Sequence, residues 1–259
     1  MVRVSNTGTR ERLPVRSRSS IVIVGVALGV TLTCSGAFLA RAAQQSSQAS
    51  AAKATVNSPV PDLSGVWFIK EYHQNILPNE DPPFQPWAEA LFKKRNYEKE
   101  HAPPDRGPDP APKCIPPGTP REMIQPFPWE IVMARDRVVM IFEYQSLVRQ
   151  IFTDGRGHPK DLDSTYMGNS IGKWEGDTLV VDTVGFNGKT WIDPKGLPST
   201  DALRVTERIR RVDHDTLSDE YTIDDRKAYT KPWTVTKLFT LKPDWQISEY
   251  VCAENNLTH

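Results

Sequence analysis

The sequence predicts a mainly β domain, an antiparallel up-and-down barrel or a strongly curved sheet with one short helix. Three observations predict it. From residue 123 onward apolar residues recur at a spacing of two in run after run. Turn residues such as Arg135-Asp136, Gly176-Asp177 and Asp213-His214-Asp215 separate those runs. Only one stretch has helical character. Successive strands joined by tight turns are antiparallel neighbours, and a sheet of nine or ten such strands must curl to bury its apolar face. A two-sheet sandwich is the alternative.

In chain order, residues 1–42 read as an export signal. Arg3, Arg10, Arg12, Arg16 and Arg18 precede the apolar run at 21–40, and Ala40-Arg41-Ala42 supplies a small-x-small cleavage pattern. The other reading is a retained membrane anchor, since twenty residues just span a bilayer. Residues 43–61, rich in Gln, Ser and Ala, make a flexible linker. The domain occupies 62–259 and opens with a short strand at 62–69. A helix is expected over 86–99, with Pro86 in its first turn and Trp87, Leu91 and Phe92 or Tyr97 as its apolar stripe. Eight prolines fall within 101–120, so that stretch is expected to wrap the surface without regular structure. Strands are then expected at 129–134, 138–144, 147–153, 171–175, 178–185, 203–212, 217–223, 233–241 and 245–252.

Charge and cysteine usage narrow the function. The chain has 32 basic and 32 acidic residues. Without residues 1–42, which hold six Arg and one Glu, 26 face 31, a net of −5. Such a surface is unsuited to nucleic acid, and membrane contact is expected only through the N-terminal segment if it is retained. The two cysteines beyond that segment, Cys114 and Cys252, fit one disulfide in an oxidising compartment. A periplasmic or secreted location follows from both features.

Site candidates come from charges that break the alternation. Arg149 lies between Leu147 and Ile151, Glu207 among Leu203, Val205 and Ile209, and Glu249 among Trp245, Ile247 and Val251. Asp182 shares its phase with Val180 and Val184. Buried charges of both signs must be paired. Either they form an internal salt-bridge network, or they orient a ligand in an apolar cavity, with a carboxylate serving as proton acceptor. Trp174, Trp191 and Trp233, near strand ends, are candidates for lining an apolar or aromatic site.

The loop with Asp154, His158, Asp161, Asp163 and Asn169 lacks the alternation of a calcium loop, so no metal is expected. Ser170, His158 and Asp182 form a trio of a kind that occurs by chance. No nucleophile elbow, phosphate-binding loop or dinucleotide fingerprint is present, and no cofactor is expected.

Two resemblances add to this. Gly65-Val66-Trp67 resembles the G-x-W start of lipocalin-like (calycin) barrels, in which the Trp packs across the closed end. Cys114-Ile115-Pro116-Pro117-Gly118, SIGKWEGDTLVVDTVGFN at 170–187, TIDDRKAYTKPW at 222–233 and EYVCAEN at 249–255 resemble a family of exported bacterial proteins. That resemblance implies secretion and a β domain holding both cysteines, and no activity. Members of that family carry His in place of Asn169, and His-Pro-His in place of Leu197-Pro198-Ser199, which again argues against a metal here. Three readings therefore stand: a protein binding a small apolar or aromatic ligand, an isomerase or lyase using Glu207 or Glu249 as base with Arg149 holding an anion, and a structural envelope protein.

Overall fold

The computed structural model describes residues 60–103 and 107–255. The expected signal segment and most of the linker lie outside them. Among the described residues no helix is long and apolar enough to cross a membrane.

Nine strands close into a barrel: β1 (Gly65–Ile69), β2 (Trp129–Met133), β3 (Arg137–Phe142), β4 (Val148–Phe152), β5 (Asn169–Glu175), β6 (Thr178–Val184), β7 (Arg204–Arg211), β8 (Thr216–Asp224) and β9 (Trp233–Leu241). β9 pairs with β1, so the hydrogen-bonded ring is continuous and the sandwich alternative falls. A ring with an odd number of strands cannot be antiparallel throughout. The parallel pair is β4–β5, with Ile151 opposite Ser170. This corrects the expectation of antiparallel neighbours everywhere. Asp154-Gly155 opens not a hairpin but a long connection, which returns along the outside and bonds to the end of β6 through Thr165 N–H to Gly185 O, 2.9 Å.

The expected strand at 245–252 does not form. β9 and β1 already satisfy each other, and a closed barrel leaves no edge for a tenth strand. The C-terminal segment instead packs Tyr250 against Phe127 and Tyr144, with ring centroids 5.6 and 5.0 Å apart. A disulfide between Cys114 and Cys252 fastens it, as the cysteine count predicted.

Short turns gather at one end of the barrel, between β2 and β3, β5 and β6, and β7 and β8. Trp67 closes that end. It is fully buried, donates its indole N–H to Leu63 O at 3.0 Å, and carries the Arg211 guanidinium 5.4 Å from its ring. The long connections, 70–128, 185–203 and 225–232, gather at the opposite end.

Across the loop end lies α1 (Pro86–His101). It begins with Pro at its first position, and Glu89 pairs with Lys93 one turn on. Its inward face is not the expected stripe. Trp87 and Tyr97 are exposed, whereas Ala88 is buried and Phe92 packs on Phe84, ring to ring at 5.3 Å. Arg95 and Lys99 continue that face by donating to Gly196 O (2.9 Å) and Pro194 O (2.8 Å). Long basic side chains cover the loops with their stems and bond them with their tips.

The Pro-rich stretch also departs from expectation. It does not stay on the surface: all nine residues from 117 to 125 are buried. They plug the loop end, with a 3₁₀ turn at Arg121–Ile124. Gly118 permits the entry, since its φ is +75° and a Cβ there would lie 2.4 Å from Tyr166 O.

The disulfide closes a 138-residue separation, for which loop entropy predicts a contribution of roughly 3–5 kcal/mol. The Cys114→Ser/Cys252→Ser variant should therefore melt about 10 °C lower. Differential scanning calorimetry measures this; an unchanged melting temperature would show that the bridge does not tether the folded C-terminal segment.

Candidate functional site

Alternation along five strands aims a belt of polar side chains into the barrel. The inward phases are Arg149 and Ile151 on β4, Ser170 on β5, Leu179, Val181 and Thr183 on β6, Val205, Glu207 and Ile209 on β7, and Leu217, Asp219, Tyr221 and Ile223 on β8. Register gathers them: Ser170 faces Thr183, Val181 faces Glu207, and Glu207 faces Tyr221.

Arg149 is the hub. Its Nη1 donates to Glu207 Oε1 at 2.8 Å and its Nη2 to Glu207 Oε2, a bidentate pair. Nε donates to Ser170 Oγ (3.1 Å) and Nη2 also to Thr183 Oγ1 (2.9 Å). The remaining Nη1 hydrogen meets Met123 Sδ of the plug at 3.3 Å. All five N–H groups are thereby used. Burial alone would lower the Arg149 pKa; the Glu207 charge and hydrogen bonds outweigh it and raise it.

Asp219 has no such support. It is fully buried, and neither carboxyl oxygen meets a hydrogen-bond donor among the described residues. The Glu207 charge raises its pKa further while the neighbouring Tyr221 hydroxyl and the Arg149 charge lower it, and Tyr221 also directs its hydroxyl to Met123 Sδ at 3.8 Å. Lys237, opposite Asp219 in register, lines a groove beside β9 with Glu71 and His73. Burial first, then the Glu207 charge, pushes Asp219 well above the ordinary carboxylate range. In the plug, Glu122 is likewise buried without a partner and pushed up by burial.

The other candidates lie elsewhere. Glu249 is exposed in the C-terminal segment and is not in the barrel, because the strand that would have aimed it inward does not form. Asp182 stands on the outer wall, since the buried phase of β6 is 179, 181 and 183. It accepts from Arg204 Nε (2.6 Å) and Nη2 (2.8 Å), and His158 Nε2 lies 3.1 Å away. Burial tends to raise its pKa, but Arg204 and His158 lower it overall. The chance trio does not assemble, because Ser170 points inward to Arg149 while His158 and Asp182 meet outside.

Trp174 packs against the core near the short-turn end, while Trp191 and Trp233 sit at the loop end, so the tryptophans do not share a site. Trp191 lies between two guanidinium groups, Arg95 at 4.7 Å and Arg121 at 5.8 Å from its ring. Trp233 meets Tyr229 edge to face at 5.5 Å. Among the described residues no group of three His, Cys, Asp or Glu could hold a metal ion.

Sequence reasoning missed Asp219, Tyr221, Thr183 and the plug. The signal for Asp219 was present, since 217, 219, 221 and 223 alternate in a strand already expected there. Nothing in the alternation could mark Met123, which reaches the belt from a nonrepetitive segment.

None of the described cavities is lined by Arg149, Glu207 or Asp219. A cavity of about 420 Å³ does lie above the plug, walled by Tyr72, Lys99, Asp109, Lys113, Arg121, Gln125, Phe127 and Tyr144. Plug, C-terminal segment and α1 all contribute to it or brace it: Arg121 is locked to Asp109 through two bonds of 2.8 and 2.7 Å, and Tyr144 and Phe127 stack at 4.8 Å. Burial pushes the Tyr144 phenol up to about 12, so it is a neutral hydroxyl. Comparison with protein-family models, curated proteins and solved structures finds no match to this chain.

Two predictions follow from the belt. Arg149→Met leaves Glu207 buried and unpaired, and should cost about 3–5 kcal/mol. Arg149→Met combined with Glu207→Leu should recover most of that loss in urea unfolding; a double variant as unstable as the sum of the singles would refute the pairing.

Asp219→Asn tests the buried acid. A carboxyl whose pKa is raised on folding contributes fully below its unfolded value of 3.8. That contribution is lost as pH rises toward the folded value, because only the unfolded chain gains by ionising. Asp219→Asn should therefore raise the melting temperature at pH 7, by about 3 °C for each kcal/mol recovered, and should give little gain at pH 4. An equal change at both pH values would show that Asp219 is not held neutral.

Proposed function

We propose that this is an exported binding protein holding a small aromatic molecule in the cavity above the plug. The observation that carries this reading is the cavity itself. At about 420 Å³ it lies within the range of small-molecule sites. It presents the rings of Tyr72, Phe127 and Tyr144 above a floor of buried plug residues. Flat aromatic walls with hydroxyl and amide groups beside them suit a flat ligand with a polar edge. Export is supported by the basic and then apolar start of the chain and by the Cys114–Cys252 bridge.

The catalytic reading finds less support. Glu207 has both oxygens engaged by Arg149 and is sealed under Met123, and Glu249 is on the surface. A general base must reach the proton it removes, and no described cavity brings a substrate to either carboxylate. The belt's role is to seat the plug, and the plug is the floor of the ligand site.

Native mass spectrometry of protein purified from the periplasm should show a co-purified small molecule or uptake from a panel of aromatic compounds. Phe127→Ala should weaken that binding about tenfold, the equivalent of about 1.4 kcal/mol. Absence of any bound or captured aromatic compound at millimolar concentration would overturn the assignment.

A further inference from the structure

The charges around the cavity specify more than aromaticity. Three cationic side chains line it, Lys99, Lys113 and Arg121, against one carboxylate, Asp109. Arg121 consumes that carboxylate in its bidentate pair, and Asp109 also accepts the Ala111 N–H at 3.1 Å. Arg121 is 3% exposed, and its Nε has no hydrogen-bond partner among the described residues. Among the described residues Lys99 and Lys113 make no ion pair there either. Lys99 is tied only to neutral oxygens, Pro194 O at 2.8 Å and Gln74 Oε1 at 3.4 Å. Burial pulls its pKa down, and the Asp109 and Asp193 charges that act on it do not make up for that burial. The phenol of Tyr144, kept neutral by burial, can donate.

A cavity lined by three cationic side chains and one carboxylate, with aromatic rings beside them, is complementary to a molecule carrying a negative group on a flat ring. We infer that the cavity binds a small aromatic anion, its ring against Tyr72, Phe127 and Tyr144 and its charged end toward Lys99 and Lys113. This rests on the reading of the cavity as a ligand site and adds the chemical class. Carboxylate and sulfonate share that chemistry.

Isothermal titration of the purified, disulfide-bonded protein with 2-naphthoate, naphthalene-2-sulfonate and the neutral isostere 2-naphthamide separates the outcomes. At least one anion should bind ten times or more tightly than the amide, and that advantage should shrink as salt is raised from 0.05 to 0.5 M. A preference between the two anions would identify the headgroup. Lys113→Gln, an exposed position whose change leaves the fold intact, should weaken the anion about threefold or more and leave the amide unchanged. Lys99→Gln should do the same if its melting temperature is retained. Equal affinity for anions and amide overturns the anion inference while leaving the cavity as a ligand site. Binding of none of the three overturns both.

Discussion

The buried pair between Arg149 and Glu207 is the interaction on which the rest of this barrel depends. Two charges inside an apolar barrel are tolerable only if each is fully bonded, and here the bonds come from five separate pieces of chain. β4 supplies the guanidinium, β7 the carboxylate, β5 and β6 the hydroxyls of Ser170 and Thr183, and the plug the sulfur of Met123. Because each strand must keep its register for these groups to meet, the pair selects one arrangement of the ring. A slip of one residue on β4 or β7 would turn Arg149 or Glu207 out to solvent and leave the other alone in the core.

Ring closure by nine strands imposes a second constraint. The one parallel contact, β4–β5, sets the start of β5 beside the end of β4, with Ser170 opposite Ile151 and within reach of Arg149. The connecting segment runs outside the barrel wall. His158 ties it to the outer wall between Asn169 and Asp182, at 2.7 and 3.1 Å. The polar loop that looked like a ligand cluster in the sequence is therefore a strap, held down by His158.

How much of this could be read beforehand follows the same physics. Period-two alternation marked all nine strands, and it placed Arg149 and Glu207 inside, because a half-buried strand leaves that pattern in any sequence. It failed for Asp182, where Val180 and Val184 are apolar but outward, since branched residues also suit the outer surface of a sheet. It failed for Glu249 because alternation describes a strand only where an edge exists to receive it. The helix at 86–101 was legible, but its buried face was not: Arg95 and Lys99 pack through their stems, and such residues count as polar in any periodicity. The plug left no signal, because a proline-rich segment is recognisable as irregular but not as buried. Cys114 and Cys252 were legible as a pair from count alone.

The location of the cavity follows from where the charge balance is complete and where it is not. Inside the barrel the positive charge of Arg149 is matched by Glu207, and burial and the Glu207 charge push the pKa of the remaining acid, Asp219, well up. The core side chains Trp129, Met140, Tyr221 and Phe239 occupy the same interior. Above the plug cations outnumber acids, since Lys99, Lys113 and Arg121 line the cavity with one carboxylate, Asp109, which is bonded to Arg121. The elements around that opening are fastened: the plug is seated on Arg149 through Met123, Lys113 adjoins the Cys114 bridge, and α1 is bonded to the 185–203 loop. Rigid walls around unmatched charge are what a preorganised site requires, because the ordering cost has been met in folding and need not be met again on binding.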